Sequence, residues 1–310
     1  MKSKICWIDC IVKKEVNQHS VTYLKCVYKK RRGVHIMSEI KIHILHTGMV
    51  RVDKALPFAG EVKSWNPIAY TGIGRSMKHQ IWVPVSCYLI EHPKGKVLID
   101  TGWHTAMRGN QRKHLGLLHY LINKGDLPEG KAIHEQLAEM GIQPGDLDYV
   151  ILSHMHSDHA DGLKLVQNAK KIMVSKEEWQ GTLDDPKRYI KKEWQGVNLE
   201  TFEFTETGIG PKKRSFDLFG DGSIVFVHTP GHSVGLAATI IQNNGQFVLL
   251  ASDVGYATKS WERLIMPGVR VNKKDVMGSL KWVQQQAAFP NCVAAIANHD
   301  SNIKPHTITL

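Results

Sequence analysis

Short apolar runs recur along the chain and predict a series of strands, several of them buried on both faces. The predicted strands cover residues 41–52, 85–92, 96–102, 147–153, 223–229, 246–253 and 292–298. A Pro93-Lys94-Gly95 turn separates the second run from the third and predicts a hairpin. Strands joined by hairpins are not typical of a purely parallel doubly wound sheet.

Helical spacing appears between these runs. In residues 131–141, Ile133, Leu137 and Met140 fall on one face and Gly141 is a plausible terminator. Residues 275–288 also predict a helix, and a third helix is expected after Ser153, including Leu163, Leu165 and Val166. The segment 103–130 is irregular and predicts loop with short helix. The alternation of strands and helices predicts an α/β fold.

The positive charge of the chain is concentrated at its N-terminus. The formal net charge is +11, but residues 1–37 hold nine Lys/Arg against two acidic residues, which leaves only +4 on residues 38–310. We therefore predict a basic N-terminal extension over residues 1–37, outside the core, and a single folded domain over residues 38–310. A body so mildly basic does not require a polyanionic partner, so we expect no nucleic-acid binding.

The apolar runs and the cysteines indicate in which cell compartment the protein is expected. No run of about 18 apolar residues is present, so we expect no membrane insertion. The five cysteines are odd in number and irregularly spaced, which favours a reducing compartment and predicts a cytoplasmic protein. The sequence carries no signal for an oligomeric state.

The stretch SHMHSDHADG, residues 153–162, directly follows the predicted strand 147–153. His154 and His156 can point the same way in an extended segment, and a turn can direct Asp158 and His159 to a second point. Neutral imidazole and carboxylate groups are suitable ligands for zinc and similar divalent ions. This stretch can therefore serve two adjacent metal positions.

Three further candidate ligands follow other predicted strands. His232 lies in HTPGHS after the strand 223–229, Asp253 ends the strand 246–253, and His299 lies in ANHD after the strand 292–298. A single histidine in such a position is more often structural than a ligand. Three of them at strand ends, together with the histidine-rich stretch, predict one shared metal site.

The set HMHSDH, TPGHS, SD and NHD resembles the metallo-β-lactamase superfamily over most of residues 40–300. Within it, the stretches VPVSCYLIEHPKGKVLIDTG, LDYVILSHMHSDHADG and HTPGHSVG, with Tyr256 three residues after Asp253, look like the N-acyl homoserine lactone lactonases, the quorum-quenching enzymes. The resemblance implies a four-layered αββα sandwich with a dinuclear metal site at one edge of the sheets. The segment 103–130 departs from that family and is expected to shape the substrate pocket.

The resemblance also implies a division of the ligands. His154, His156 and His232 would hold one ion, Asp158, His159 and His299 the other, and Asp253 would bridge them, with Asp100 supporting the ligands from behind. The cofactor is expected to be two divalent ions per chain, with zinc as the favoured metal. A hydroxide between the ions would open the ring of a small-molecule lactone. Asp158 and Tyr256 are the candidate catalytic residues, for proton transfer and for a hydrogen bond to the oxyanion.

Several other functions remain open. A glyoxalase II-like thioesterase acting on a glutathione thioester has the same seven ligands and is the main alternative, and a tRNA-processing nuclease shares the metal core. A redox site would need Glu in place of His156, and a single-cysteine β-lactamase would need Cys in place of Asp253. A non-enzymatic alternative is a module that binds nucleic acid or an anionic membrane through its basic N-terminus. Substrate preference within the lactones and the native metal are not readable from the sequence.

Overall fold

The computed structural model describes residues 38–310. The predicted basic extension, residues 1–37, lies outside the described residues, so its independence from the core stays a prediction. Within the described part, Cys87 and Cys292 are unpaired thiols. No helix among residues 38–310 is long and apolar enough to cross a membrane.

The described chain forms fourteen strands and seven α-helices, joined by short 3-10 turns. The strands are β1 Lys41–Asp53, β2 Gln80–His92, β3 Gly95–Ile99, β4 Lys124–Asp126, β5 Tyr149–Leu152, β6 Ile172–Ser175, β7 Leu199–Phe202, β8 Thr205–Glu206, β9 Arg214–Asp217, β10 Ile224–His228, β11 Ala237–Asn243, β12 Gln246–Ser252, β13 Cys292–Ala297 and β14 Thr307–Thr309. The helices are α1 Gln111–Leu115, α2 Leu117–Ile122, α3 Ile133–Glu139, α4 Ser157–Ala160, α5 Lys176–Asp184, α6 Thr258–Glu262 and α7 Lys273–Ala287.

These strands form two mixed sheets. The first sheet has the order β14-β1-β2-β3-β5-β6-β7, with β4 also paired to β1. Its hairpin half is antiparallel, whereas β3, β5, β6 and β7 run parallel. The second sheet has the order β13-β12-β11-β10-β9-β8 and is antiparallel except where β13 runs parallel to β12.

Three apolar cores stack these sheets and helices into four layers. The central core joins the facing sides of the two sheets and includes Ile42 of β1 and Phe226 of β10. A second core packs the outer face of the first sheet against α3 through Leu137. The third packs the outer face of the second sheet against α6 and α7. The predicted αββα sandwich is confirmed.

The segment 103–130, predicted as loop with short helix, contains α1, α2 and a 3-10 turn at Thr105–Arg108, and adds the unpredicted strand β4. Its apolar residues Trp103, Met107 and Leu115 are buried in a fourth cluster that also contains Tyr256. The segment therefore packs into the same apolar cluster as a candidate catalytic residue, and its role in shaping the substrate pocket stays a prediction.

Most predicted elements are found within two or three residues of their expected ends, and the predicted hairpin of β2 and β3 is present, although β2 begins at Gln80, five residues before the expected start. The helix expected after Ser153 is different, because the chain forms only the single turn α4 and then a 3-10 helix over Asp161–Val166. Backbone bonds between this segment and the loop after β3 explain the interruption: Gly162 N–H donates to the carbonyl of Gly102, and Thr101 N–H donates to that of His159.

Candidate metal centre

Four strand ends bring the predicted ligands to one edge of the sandwich. The histidine-rich stretch follows β5, His232 lies four residues after β10, Asp253 follows β12 directly, and His299 lies two residues after β13. Parallel pairing of β12 with β13 places Asp253 and His299 at the same end of the second sheet. All seven predicted ligands lie in three overlapping groups that could each hold a metal ion.

The first group contains His154, His156 and His232. Nε2 of His154 lies 3.0 Å from Nδ1 of His156, and Nε2 of His232 lies 2.8 Å from the same Nδ1. Three imidazole nitrogens directed at one point match the ligands of a divalent ion. Burial lowers the pKa of all three side chains, to about 4 in His232, so the rings are neutral at pH 7 and their lone pairs are free.

The second group contains Asp158, His159 and His299. Oδ2 of Asp158 lies 3.5 Å from Nε2 of His299, and its Oδ1 lies 4.0 Å from Nε2 of His159. Burial lowers the pKa of His159, but the Asp253, Asp100 and Asp158 carboxylates outweigh burial and raise it well above the usual value. The same competition, again led by Asp253, raises the pKa of His299. The negative charge of these carboxylates can be balanced by a proton on an imidazole ring or by a bound metal cation.

Asp253 lies between the two groups. Its Oδ1 is 3.3 Å from Nε2 of both His159 and His299, and its Oδ2 is 3.5 Å from Nε2 of His232. One carboxylate oxygen therefore faces each group. This is the geometry required of a carboxylate that bridges two ions.

Unpartnered polar atoms at the centre test whether a metal fits. Nε2 of His159, Nε2 of His299 and Oδ1 of Asp253 are buried and have no hydrogen-bond partner among the described residues. Such atoms are rare in folded proteins, because each loses its hydrogen bonds to water and gains no other hydrogen bond in exchange. All three point at one another across the site, so a divalent cation between them would satisfy them together, and the residues fit a metal.

The far sides of the ligands are held by hydrogen bonds. Nδ1 of His299 lies 2.7 Å from the carbonyl of Pro84, and Nδ1 of His232 lies 3.0 Å from that of Val269, so each ring donates outward and leaves Nε2 as the free ligand atom. Nδ1 of His159 lies 2.8 Å from Oδ2 of Asp100. Asp100 thus lies behind a ligand, as expected, and its backbone is held in the left-handed region at φ 59°.

Tyr256 is buried beside both groups. Its ring stacks on that of His299, with centroids 5.0 Å apart and planes inclined by 17°, and lies 5.9 Å from the ring of His232. Burial and the charge of Asp253 raise the pKa of the phenol well above its usual value. The hydroxyl is therefore protonated at neutral pH and can donate a hydrogen bond.

Sequence reasoning missed Glu178, a fully buried carboxyl on α5. It accepts hydrogen bonds from the backbone N–H of Met155 at 3.1 Å and of Gly235 at 3.0 Å, and from the hydroxyl of Tyr189 at 3.2 Å. Met155 lies between the ligands His154 and His156, and Gly235 follows His232, so one carboxylate links two ligand loops. The sequence gives no sign of this role, because an acidic residue in the first turn of a helix is usually exposed.

Sequence reasoning also missed Tyr189 and Arg188, which contact the same ligand loops. The ring of Tyr189 stacks on His156 with centroids 5.6 Å apart. Nη2 of Arg188 donates to the backbone carbonyl of His232 at 3.1 Å. Their segment showed no pattern in the sequence that set it apart from an ordinary surface turn.

Comparison with known proteins agrees with this geometry. The model of the metallo-beta-lactamase superfamily matches residues 81–281. The chain belongs to this superfamily. Membership implies the binding of divalent metal ions, and the three overlapping groups are where the metallo-β-lactamase fold of this chain offers ligands for them.

The chain is similar in sequence to curated lactonases. It is 27% identical over 225 residues to the N-acyl homoserine lactonase AttM of Agrobacterium fabrum, covering 70% of this chain and 82% of that protein. It is 29% identical over 189 residues to an N-acyl homoserine lactonase of Bacillus thuringiensis, covering 58% and 67%.

Among solved structures, a variant of B. thuringiensis AiiA with N-decanoyl-L-homoserine bound at its active site superposes with a TM-score of 0.68. The identity is 23%, and the match covers 84% of this chain and 94% of that one. At this identity the likeness establishes the fold and not the substrate.

Proposed function

We propose that this protein is a dinuclear metal-dependent lactonase that opens the ring of N-acyl homoserine lactones. The observation that carries the proposal is the convergence of seven His and Asp side chains into three groups that overlap through His154 and His159, with Asp253 between them. The sequence relatives named as N-acyl homoserine lactonases support the choice of substrate. Closed structural zinc sites usually have four protein ligands and favour cysteine, so this His/Asp set suits an open, catalytic centre better.

The proposed ligand assignment follows the two groups. His154, His156 and His232 would hold one ion, and Asp158, His159 and His299 would hold the other. Asp253, whose two oxygens face opposite groups, would be the ligand common to both. Two ions per chain, with zinc as the favoured metal, are part of the proposal, because imidazole and carboxylate ligands suit zinc among several divalent metals.

Bound at this site, the ions would supply hydroxide at neutral pH and polarise the ester carbonyl. The phenolic hydroxyl of Tyr256 donates a hydrogen bond to the carbonyl oxygen as negative charge develops there. Asp158 accepts the proton that the water loses. When the bond between the carbonyl carbon and the ring oxygen breaks, Asp158 donates this proton to the alkoxide oxygen. The side chain of Asp158 retains 15% exposure against 2% for Asp253, so it can reach the substrate side.

A hydrolysis screen tests the proposal. Metal-loaded protein is offered N-hexanoyl-L-homoserine lactone, a simple lactone, a glutathione thioester and a phosphodiester at equal concentration. We expect the acyl homoserine lactone to have the highest kcat/KM by a wide margin. The Asp253→Asn variant, which loses the shared charge, is the control for contaminating hydrolases. Faster turnover of the glutathione thioester would assign the protein to the thioesterases instead.

A further inference from the structure

A surface cavity of about 400 Å³ lies beside the strands β1 and β4 and contains three basic side chains. Its lining includes Arg51, Arg112 and Lys124, together with the aromatic rings of Trp82 and Tyr120. None of the seven candidate metal ligands lines this cavity. A volume of this size is typical of sites that bind small molecules. The cavity is therefore a candidate binding site built from other residues than the metal centre.

The sheet register places two of these cations directly opposite each other. Arg51 of β1 pairs with Lys124 of β4 on one side and with Trp82 of β2 on the other. Both basic side chains are half-buried, and like charges directly opposite on neighbouring strands are unfavourable. Burial and the charge of Arg51 lower the pKa of the Lys124 ammonium. The fold therefore holds the two charges together against their repulsion.

Aromatic rings hold these cations in place and leave their charge uncompensated. The guanidinium of Arg51 lies 5.7 Å from the centroid of the Trp82 ring. Nζ of Lys124 lies 4.4 Å from the centroid of the Tyr120 ring and donates to the Tyr120 carbonyl at 2.9 Å. Contacts of this kind orient a cation without neutralising it. Within residues 38–310, no acidic side chain forms an ion pair with Arg51, Arg112 or Lys124.

We propose that this cavity binds a phosphate monoester that carries a planar aromatic ring, as in a nucleoside monophosphate. A phosphate dianion suits the cavity better than a single carboxylate, because three positive charges line it and several phosphate oxygens can accept hydrogen bonds at once. Trp82 is 45% exposed, so aromatic surface is available to the ring of the ligand. A nucleobase stacks favourably on such a surface whatever its identity.

Calorimetric titration of the full-length, metal-loaded protein tests the proposal. The probes are adenosine monophosphate, ribose phosphate, which lacks the base, and adenosine, which lacks the phosphate. The variants are Arg51→Gln, Trp82→Ala and Arg112→Gln, and Arg112 is exposed, so its replacement leaves the core intact. Lys54→Gln is the matched control, because Lys54 is exposed, follows β1 directly and does not line the cavity. Melting temperature and metal content are measured in every variant.

We expect adenosine monophosphate to bind more tightly than either fragment. Arg51→Gln and Arg112→Gln should each weaken the binding of adenosine monophosphate and of ribose phosphate by about tenfold, because hydrogen bonds to charged groups contribute that much. Trp82→Ala should weaken the binding of adenosine monophosphate by about fivefold or more, and that of ribose phosphate less, because the stacking surface is lost. Lys54→Gln should keep the wild-type affinities.

Phosphate groups can also bind to metal ions or to the basic residues 1–37, and the variants distinguish these sources. Binding at either place would persist unchanged in Arg51→Gln and Arg112→Gln, and that result would overturn the proposal. So would an equal loss of affinity in Lys54→Gln, or the absence of binding to the wild-type protein. None of these results bears on the proposed lactonase, because the titration does not measure turnover.

Discussion

Oδ1 of Asp253 lies 3.3 Å from Nε2 of His159, and neither atom has a hydrogen-bond partner among the described residues. The two residues are separated by 94 positions along the sequence: His159 lies on α4, which follows β5 of the first sheet, and Asp253 directly follows β12 of the second. With a proton on His159 the two atoms would satisfy each other, and a shared divalent cation would satisfy both at once. The proposed chemistry depends on the cation.

Removal of His159 should empty mainly one metal position. His159 belongs to the groups with Asp158 and His299 and with His154 and Asp253, whereas His156 and His232 keep their own group. We expect His159→Ala to retain about one ion per chain and to lose most of its turnover. Elemental analysis after gel filtration measures this, with His306→Ala, an exposed histidine, as the control. Two tightly bound ions in His159→Ala would show that this ligand assignment is wrong.

Loss of the Tyr256 hydroxyl should slow the chemical step and leave the metals in place. An oxyanion donor contributes up to about a thousandfold to kcat. For Tyr256→Phe we expect a decrease nearer tenfold, because a metal ion would share the same oxygen. KM should change less than kcat. Steady-state kinetics on acyl homoserine lactones tests this, and Tyr149→Phe, on β5, is the matched control. An unchanged kcat would remove Tyr256 from the mechanism.

Glu178 should matter for metal affinity although it does not touch the ions. Glu178→Ala leaves the N–H groups of Met155 and Gly235 without their acceptor, which costs on the order of 3 kcal/mol of stability. The two ligand loops lose their link, so metal affinity should fall by about 10- to 100-fold, as for other residues that support ligands. Competition with a chelator measures this.

The neighbouring Glu177 provides the control for Glu178. Glu177 pairs with Arg214 at 2.8 Å near the surface, and such pairs contribute at most about 1 kcal/mol. Glu177→Gln should therefore keep wild-type metal affinity. Equal affinity in Glu178→Ala and Glu177→Gln would refute the role of Glu178 in positioning the loops.

A chain that starts at Met37 should keep the melting temperature and the activity of the full-length protein. Residues 1–36 hold a dense positive charge and show no amphipathic period in the sequence, so we expect them to add little to the stability of the domain. Thermal unfolding and turnover of the two proteins, compared side by side, test this prediction. Loss of solubility in the shorter chain would mean that the N-terminal segment packs against the domain or a partner.

The sequence predicted the main strands and the meeting of the candidate ligands at one edge because both depend on local patterns, whereas the layered architecture was implied by the family resemblance. Apolar runs identify the strands. A histidine or aspartate that directly follows a strand lies at the edge of the sheet where that strand ends, and this holds independently of the other contacts in the chain. Asp253 is an example, since it follows β12 directly and needs only the parallel partner β13 to meet His299.

The contacts that hold the site together were not predictable in the same way. Glu178 lies in the first turn of α5 and Arg188 in a segment whose composition resembles an exposed turn, and only long-range contacts with Gly235 and His232 bring them to the centre. The interruption of the helix after Ser153 also depends on distant backbone, the loop that contains Gly102. Local propensity carries no information about such partners.

Metal titration of lactone hydrolysis tests the central claim most directly. Protein stripped with a chelator is titrated with Zn²⁺ while ring opening of N-hexanoyl-L-homoserine lactone is followed by proton release. We expect no turnover without metal and a maximum at two ions per chain, since His232 and His299 belong to separate groups that Asp253 connects. Full activity at one ion or fewer, or no lactone hydrolysis at two, would contradict the dinuclear lactonase.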